Sequence, residues 1–482
     1  MRRDAWYLPA VIIIVAAAVR FHKLETHFLW IDEGTSWYIA KFLSLNNIWA
    51  DRIYAGHFPF YFLFLKFWIM VFGDSEFSLR LPSLIPSIFS LIVFFNISKL
   101  LLKANIARHW SLFIFSFSVY GLTLAQEVRM YSAALLFFCL WIFFLIKIIK
   151  DYPRYSILYS CSLFLFLLNG SVCIIPYLGV LSFLFFKFKN KIYRRISFLT
   201  IFVLIPFLFL YSSILSRSLN IEMECYYLKH QFALKTQLLN MIGWVLRFFK
   251  DITGFSEMSF YDLPYSLTLI YFVIFVLFAI LSVFGLLKLS KEHKRIGLTL
   301  MLVSFLSLSL SYKFESRYFF HLLPFIAIGW GDTMARLYER SKKIAMLFIL
   351  LWGCLYINDT ILYFKIPKSA WGNIADYIEE NESIQDEIWL LPDFSLGAFS
   401  YYYDGESTVA GIGLGGMPTI DKESGIWYIV WSNSKLPWVG GVLAIEADRF
   451  LKRYLYLKSD LEMSRYFVTK NGEVELHHYI PR

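Results

Sequence analysis

The chain has 482 residues, 58% of them hydrophobic, 20% aromatic and only 17% charged, and its mean hydropathy is positive. No soluble core needs that much apolar material, so a water-soluble globular protein is excluded and a polytopic α-helical membrane protein is expected. The formal charge of +10 would suit nucleic acid, but the lysines and arginines fall in short clusters between hydrophobic runs, where cytoplasmic loops carry them, and no nucleic-acid partner is expected. Of the five cysteines, Cys139, Cys161, Cys173 and Cys354 lie in apolar runs and Cys225 stands apart, so neither a disulfide framework nor a zinc cluster is implied.

Met1-Arg2-Arg3 and the run from about Leu8 to Val19 read as an uncleaved first span with its N-terminus inside. Just beyond it stands Trp30-Ile31-Asp32-Glu33, two adjacent carboxylates that are either a solvated helix end or a catalytic device. The run His57–Gly73 resembles a span but contains His57, Pro59 and Lys66 and is short for a membrane helix. Counting it would put the basic loops outside, so it is expected to lie in the interface or to re-enter from the outer side. Phe77–Leu102 is then the second span, with Arg80 near its head.

Basic clusters at Lys99–Arg108, Lys147–Arg154, Lys187–Arg195, Lys288–Arg295 and Arg336–Lys343 mark the cytoplasmic side. Between the first two lie the runs Trp110–Ala125 and Tyr131–Ile146, so the connector Gln126-Glu127-Val128-Arg129-Met130 faces outward. The same alternation puts outside the turn near Gly170, the segment from about Ser216 to Asp262, and the turn Lys313–Arg317. The count closes at about eleven spans, the last near Ile344–Phe364, which gives a membrane domain over residues 1–364 with outer loops at 21–76 and 216–262. Residues 365–482 form a small extracytoplasmic α/β domain. There Ser369–Asn381 has helical periodicity, Glu387–Leu391 and Gly425–Trp431 read as strands, Ala447–Tyr456 as a helix, and Tyr466–Thr469 and Val474–Tyr479 as strands around Asn471-Gly472. Gly411–Gly416 is loop-like; it lacks the Lys-Ser/Thr ending and the strand–loop–helix setting of a phosphate loop.

On the outer face this topology gathers Asp32, Glu33 and Glu127 with Arg129, His57, Arg317 and His321. Ionisable groups at the edge of hydrocarbon are costly and tend to be functional. Carboxylates beside cations suit a reaction of a hydroxyl with an anionic leaving group: a base for the hydroxyl, positive charge for the departing phosphate.

Four ordered stretches carry a family resemblance: Trp30–Glu33, His57-Phe58-Pro59-Phe60-Tyr61, Phe72–Ser83 and Gln126–Tyr131. Together they resemble the motifs of bacterial GT-C glycosyltransferases, similar to the protein O-mannosyltransferases and the lipid A aminoarabinose transferase. The likeness covers roughly residues 1–215 and extends loosely to Arg317-Tyr318 and Pro324. It implies a hexosyl- or pentosyltransferase of the cytoplasmic (inner) membrane that uses a polyprenyl-phosphate sugar donor and a glycan, lipid or protein acceptor, with inversion at the sugar.

By the same resemblance Asp32 is the catalytic carboxylate, Glu33 stands beside it, and Glu127 completes the site, with a divalent metal on Asp32 and Glu127 as a further expectation. Glu127 takes a place that often holds Asp, which leaves metal binding open. Arg129 is the candidate for the lipid phosphate, since guanidinium matches phosphate oxygens bidentately. Arg80, His57 and Arg317 are further candidates for that phosphate. Against them, the Phe77–Pro82 stretch around Arg80 can be conformational, with Pro82 starting the span, His57 can cap its own helix, and Arg317 can pair with Glu315. Two other classes stand beside the transferase: a transporter or lipid flippase, which would place its charges at mid-membrane, and a non-catalytic membrane scaffold.

Overall fold

The computed structural model describes residues 7–54, 57–213, 265–310, 316–383, 385–412, 424–432, 448, 451–452, 455, 459–469 and 472–481. In chain order the helices are α1 (Tyr7–Phe21), α2 (Ile31–Phe42), α3 (Leu45–Tyr54), α4 (Phe60–Phe72), α5 (Glu76–Leu101), α6 (Asn105–Phe117), α7 (Val119–Ala125) and α8 (Tyr131–Lys150). They continue with α9 (Ser156–Leu167), α10 (Ile174–Phe185), α11 (Lys191–Leu204), α12 (Tyr265–Lys288), α13 (Lys291–Leu310), α14 (Leu323–Arg340), α15 (Lys342–Lys365), α16 (Trp371–Asn381) and α17 (Leu396–Phe399). The strands are β1 (Glu387–Leu391), β2 (Thr408–Gly411), β3 (Ile426–Ser432), β4 (Ser459–Thr469) and β5 (Gly472–Pro481). The segment Ser216–Asp262, Cys225, Gly413–Gly416 and most of Ala447–Tyr456 lie outside the described residues.

Two compact units result: Met1–His22, Leu45–Phe64 and Arg80–Tyr363 make a helical unit, and Lys23–Ser44, Leu65–Leu79 and Phe364–Arg482 make a unit built on the sheet. Among the described residues four helical stretches are long and apolar enough to cross a membrane: Glu76–Leu101, Tyr131–Lys150, Lys191–Ser213 and Lys342–Lys365. At 1.5 Å per residue the 26 residues of α5 reach about 39 Å, against a hydrocarbon core of about 30 Å. On α15, Ile344, Leu347, Leu350, Leu351, Ile357 and Ile361 are exposed, an apolar surface suited to lipid. The chain is a membrane-embedded protein. The 13 residues of α4 reach only about 20 Å, and α1, α9 and α10 are short as well.

Helices in lipid associate by close van der Waals packing, which small residues allow. A Cβ on Gly329 of α14 would lie 2.0 Å from the carbonyl oxygen of Ser282 on α12, and one on Gly285 only 1.8 Å from that of Gly329. With the backbones this close, Thr333 Oγ1 donates across to Leu281 O at 2.6 Å. The run expected as one helix from Trp110 to Ala125 is two, because Ser118 is extended (φ −65°, ψ 125°) and separates α6 from α7. Arg20, buried at the end of α1, serves this break: its guanidinium donates to Ser116 O at 2.8 Å, Ser87 Oγ at 3.0 Å and Ala16 O at 3.0 Å.

The sheet has strand order β2-β1-β3-β5-β4, with β2, β1 and β3 parallel and β3, β5 and β4 antiparallel. Alternation along the strands makes two cores. Ile388, Leu390, Trp427, Ile429, Val474 and Leu476 pack with Trp371, Ile374 and Ile378 of α16, while Trp389, Ile426, Tyr428, Val430 and Tyr479 pack with Leu451 and Leu455. On the second face Glu475 Oε2 lies 2.6 Å from Lys452 Nζ and 3.2 Å from His477 Nε2, and His477 Nδ1 meets Ser464 Oγ at 2.9 Å. The bonds from His477 and Lys452 outweigh burial and hold the Glu475 carboxyl at about 2, below its usual 4.5.

Two outcomes follow from this packing. Gly329→Val should separate α12 from α14 and cost about 3 kcal/mol or more, read as a lowered thermal transition in detergent. Because the Glu475 carboxyl is held down in the folded state, its contribution is complete above about pH 4.5 and drains away as pH falls from there towards 2. Glu475→Gln should therefore flatten the acid limb of exchange protection in β5 over that range and leave other strands less affected.

Candidate active site

Asp32 and Glu33 sit in the first turn of α2, in the sheet-bearing unit, where the positive end of the helix dipole favours carboxylates. Trp30 is extended (φ −86°, ψ 173°) and its backbone N–H donates to Glu33 Oε2 at 3.3 Å, which fixes the start of the helix. Their surroundings differ. Glu33 is 0% exposed and 3.8 Å from Lys368 Nζ, itself only 4% exposed, whereas Asp32 is half-buried. Gly34 lets α17 approach: a Cβ there would stand 2.3 Å from the Cα of Ala398. The chain before the helix is held as well, since Leu29 N–H donates to Tyr402 Oη at 2.5 Å and Ser369 Oγ donates to Leu29 O at 2.9 Å. Tyr402 Oη in turn bonds the Glu76 carboxylate.

Further along α2, Trp37 Nε1 and Lys41 Nζ each reach Asp74 Oδ2 at 2.9 Å, and Tyr401 Oη donates to Asp74 O at 2.8 Å. Burial alone would raise the Asp74 carboxyl, but the indole N–H and the ammonium hold it below its ordinary value.

In the helical unit, Glu127 and Arg129 lie on the connector between α7 and α8, both buried. Gln126 Nε2 anchors its start, donating to Arg20 O at 2.8 Å and His22 O at 2.9 Å. Ser132 Oγ closes the turn onto Leu124 O at 2.7 Å, and Ser83 Oγ on α5 donates to Arg129 O at 2.8 Å. Arg80, buried, stands one turn before Ser83 on the same helix. The Arg317 guanidinium lies over the Tyr131 ring, 5.7 Å from its centroid, at the first residue of α8. Arg80, Glu127, Arg129 and Arg317 are thus gathered at one end of the helical unit. His57 stands half-buried before α4, its neighbour Phe58 packed on Phe207 and Tyr211. His321 is buried and hydrogen-bonded to Ser304 Oγ at 2.7 Å.

Sequence reasoning did not single out Arg20, Ser83, Lys368 or Tyr402. Arg20 reads as a boundary charge at the end of a span, Ser83 enters only as the last residue of the Phe72–Ser83 stretch, and Tyr402 leaves no signal in so Tyr-rich a chain. Lys368 does leave one: a lysine just past a span expected to end outside runs against the cytoplasmic bias of basic residues. Among the described residues no three His, Cys, Asp or Glu side chains are grouped as metal ligands.

The fold is shared with proteins of known structure. ArnT from Cupriavidus metallidurans, a lipid A aminoarabinose transferase, superposes in its apo state with a TM-score of 0.59 at 12% identity, over 97% of both chains. Its complex with undecaprenyl phosphate gives 0.57 at 11%, again over 97% of both. AglB, the oligosaccharyltransferase of Archaeoglobus fulgidus in complex with an inhibitory peptide and a dolichol-phosphate, gives 0.53 at 11%, over 97% of this chain and 74% of its own. The chain shares its fold with these two GT-C glycosyltransferases. Neither the protein-family models nor the curated protein sequences give a match. With ArnT the GT-C likeness takes in nearly the whole chain, so it extends past α15 into Phe364–Arg482.

Proposed function

We propose that the chain is a membrane glycosyltransferase that moves a sugar from a polyprenyl-phosphate-linked donor to an acceptor on the outer face of the cytoplasmic membrane. The observation that carries this reading is the set of arginines, Arg80, Arg129 and Arg317, gathered around the Gln126–Met130 connector at one end of an apolar helical unit. Guanidinium groups at the edge of hydrocarbon suit a phosphate whose lipid tail stays in the bilayer. The shared fold supports it, because ArnT has been crystallised bound to undecaprenyl phosphate and the AglB structure is a complex with a dolichol-phosphate.

In the reaction Asp32 takes the proton of the acceptor's nucleophilic group, and the freed electron pair attacks the anomeric carbon. The bond from that carbon to the phosphate oxygen breaks, and polyprenyl phosphate leaves with the pair. A single displacement inverts the anomeric configuration. Arg129 binds the phosphate and takes up the charge that develops on it, with Arg80 and Arg317 adding to the field and His57 at the mouth of the donor site. Glu33 supports Asp32, and Glu127 helps to form the site. Asp32 belongs to the sheet-bearing unit and Glu127 to the helical unit, and no step above depends on a metal ion.

The topology that fits this chemistry has eleven spans, the N-terminus in the cytoplasm, α4 in the interface, and Phe364–Arg482 outside. A cysteine near Asp74 should then react with impermeant reagents from the same side as one near Glu25; labelling from opposite sides would overturn the arrangement.

The chemistry is tested on membranes containing the full chain, with undecaprenyl-phosphate-linked mannose and aminoarabinose as probe donors. Asp32→Asn keeps the shape and removes the base, so turnover should fall by about two to four orders of magnitude while donor affinity changes little. Arg129→Ala should instead weaken donor binding, and Arg129→Lys should recover only part of it, because the paired donors are lost. Near-normal turnover by an Asp32→Asn protein that still binds donor would rule out the mechanism.

A further inference from the structure

Glu33 has no exposed side-chain surface, and a cation beside a carboxylate in such a place favours its ionised form. That cation is Lys368, 3.8 Å away and 4% exposed, so the pair is not a surface ion pair of the kind that contributes little. Lys368 also does not act alone. The next residue, Ser369, bonds Leu29 O at 2.9 Å, Ala370 shares a core with Ile31, and Tyr402 accepts from Leu29 N–H. The chain from Leu29 to Gly34 is therefore held on both sides of Asp32 by residues that follow α15. Asp32 itself remains half-buried, with its carboxylate on a main chain fixed by its neighbours.

We propose that Lys368 is a positioning residue for Asp32: by pairing with Glu33 it locks the first turn of α2 and neutralises the second carboxylate, so that one negative charge is presented for catalysis. This rests on the reading of Asp32 as the base. It gives the C-terminal segment a part in the chemical step itself. Without Lys368, Glu33 would lose this cation next to the base and the turn would lose one of its ties.

The test pairs turnover with an exchange measurement that needs no activity. In the full-length protein Lys368→Met should lower kcat by about ten- to a hundredfold with the donor KM within about twofold, since a small misplacement of a base is enough for such a loss. Lys368→Arg should recover most of the rate. In a Glu33→Gln background, where the charge to be paired is gone, Lys368→Met should add little further loss. Backbone amides from Leu29 to Gly34 should exchange faster in Lys368→Met while those of β1 and β3 do not.

An unchanged kcat, a raised KM at unchanged kcat, or an equal loss in both backgrounds would overturn the proposal. If Lys368→Met fails to fold, the comparison passes to Lys368→Arg and Glu33→Gln, and a larger loss in Lys368→Arg than in Glu33→Gln would overturn it. No transfer by the wild-type chain, or full transfer by Asp32→Asn, would defeat the glycosyltransferase reading instead, and the exchange rates would still decide whether Lys368 fixes the turn.

Discussion

A charge removed from water must be paired, and in a chain with so few charges each buried one shapes what surrounds it. Glu33 brings Lys368 and the residues after it onto the start of α2, which binds the loop after α1 to the C-terminal sheet. Arg20 does the equivalent in the helical unit, where one guanidinium joins α1 to α5 and to the break between α6 and α7. Its carbonyl then receives Gln126, so the buried cation and the connector bearing Glu127 and Arg129 are parts of one network. In each unit a buried cation, Lys368 or Arg20, thus serves the stretch that carries the residues assigned to chemistry.

Much of the architecture is legible in the sequence because it depends on local composition. The α5 span, observed as Glu76–Leu101 against an expected Phe77–Leu102, follows from an apolar run with Pro82 inside its first two turns. Strand β1 follows from Glu387–Leu391, and the final hairpin from its turn signal, although β4 and β5 extend further than the apolar pattern suggests. They lengthen because polar residues, as Ser464, Glu475 and His477 are, stand among the apolar ones on the second face, and polar positions give no strand signal.

What is not legible is whatever depends on partners distant in the chain. Nothing near Ser118 predicts that Ser116 O will be met by Arg20, and without that donor a broken helix would leave a carbonyl unserved in a buried place. The short strand β2, Thr408–Gly411, is hidden for a similar reason: its four residues gain their order by pairing with β1. Of the candidate site, residue types and positions could be read, but not the contrast between a buried Glu33 and a half-buried Asp32. That contrast comes from Lys368 and Ala398, both more than three hundred residues downstream of α2.

The interleaving of the two units bears on how the parts of the chain can be separated. Lys23–Ser44 and Leu65–Leu79 belong with Phe364–Arg482, yet each is flanked by segments of the helical unit. A cut after α15 would therefore not release an independent module. It would strip α2 of Lys368, Ser369, Ala398 and Tyr402 and leave Glu33 without its cation. Loss of turnover in such a truncation would follow from the exposed first turn of α2 alone, whatever the acceptor. A role of the sheet in choosing acceptors has to be sought by substitutions on its outer strand β4, where Leu461 and Tyr466 are exposed and none of these ties is touched.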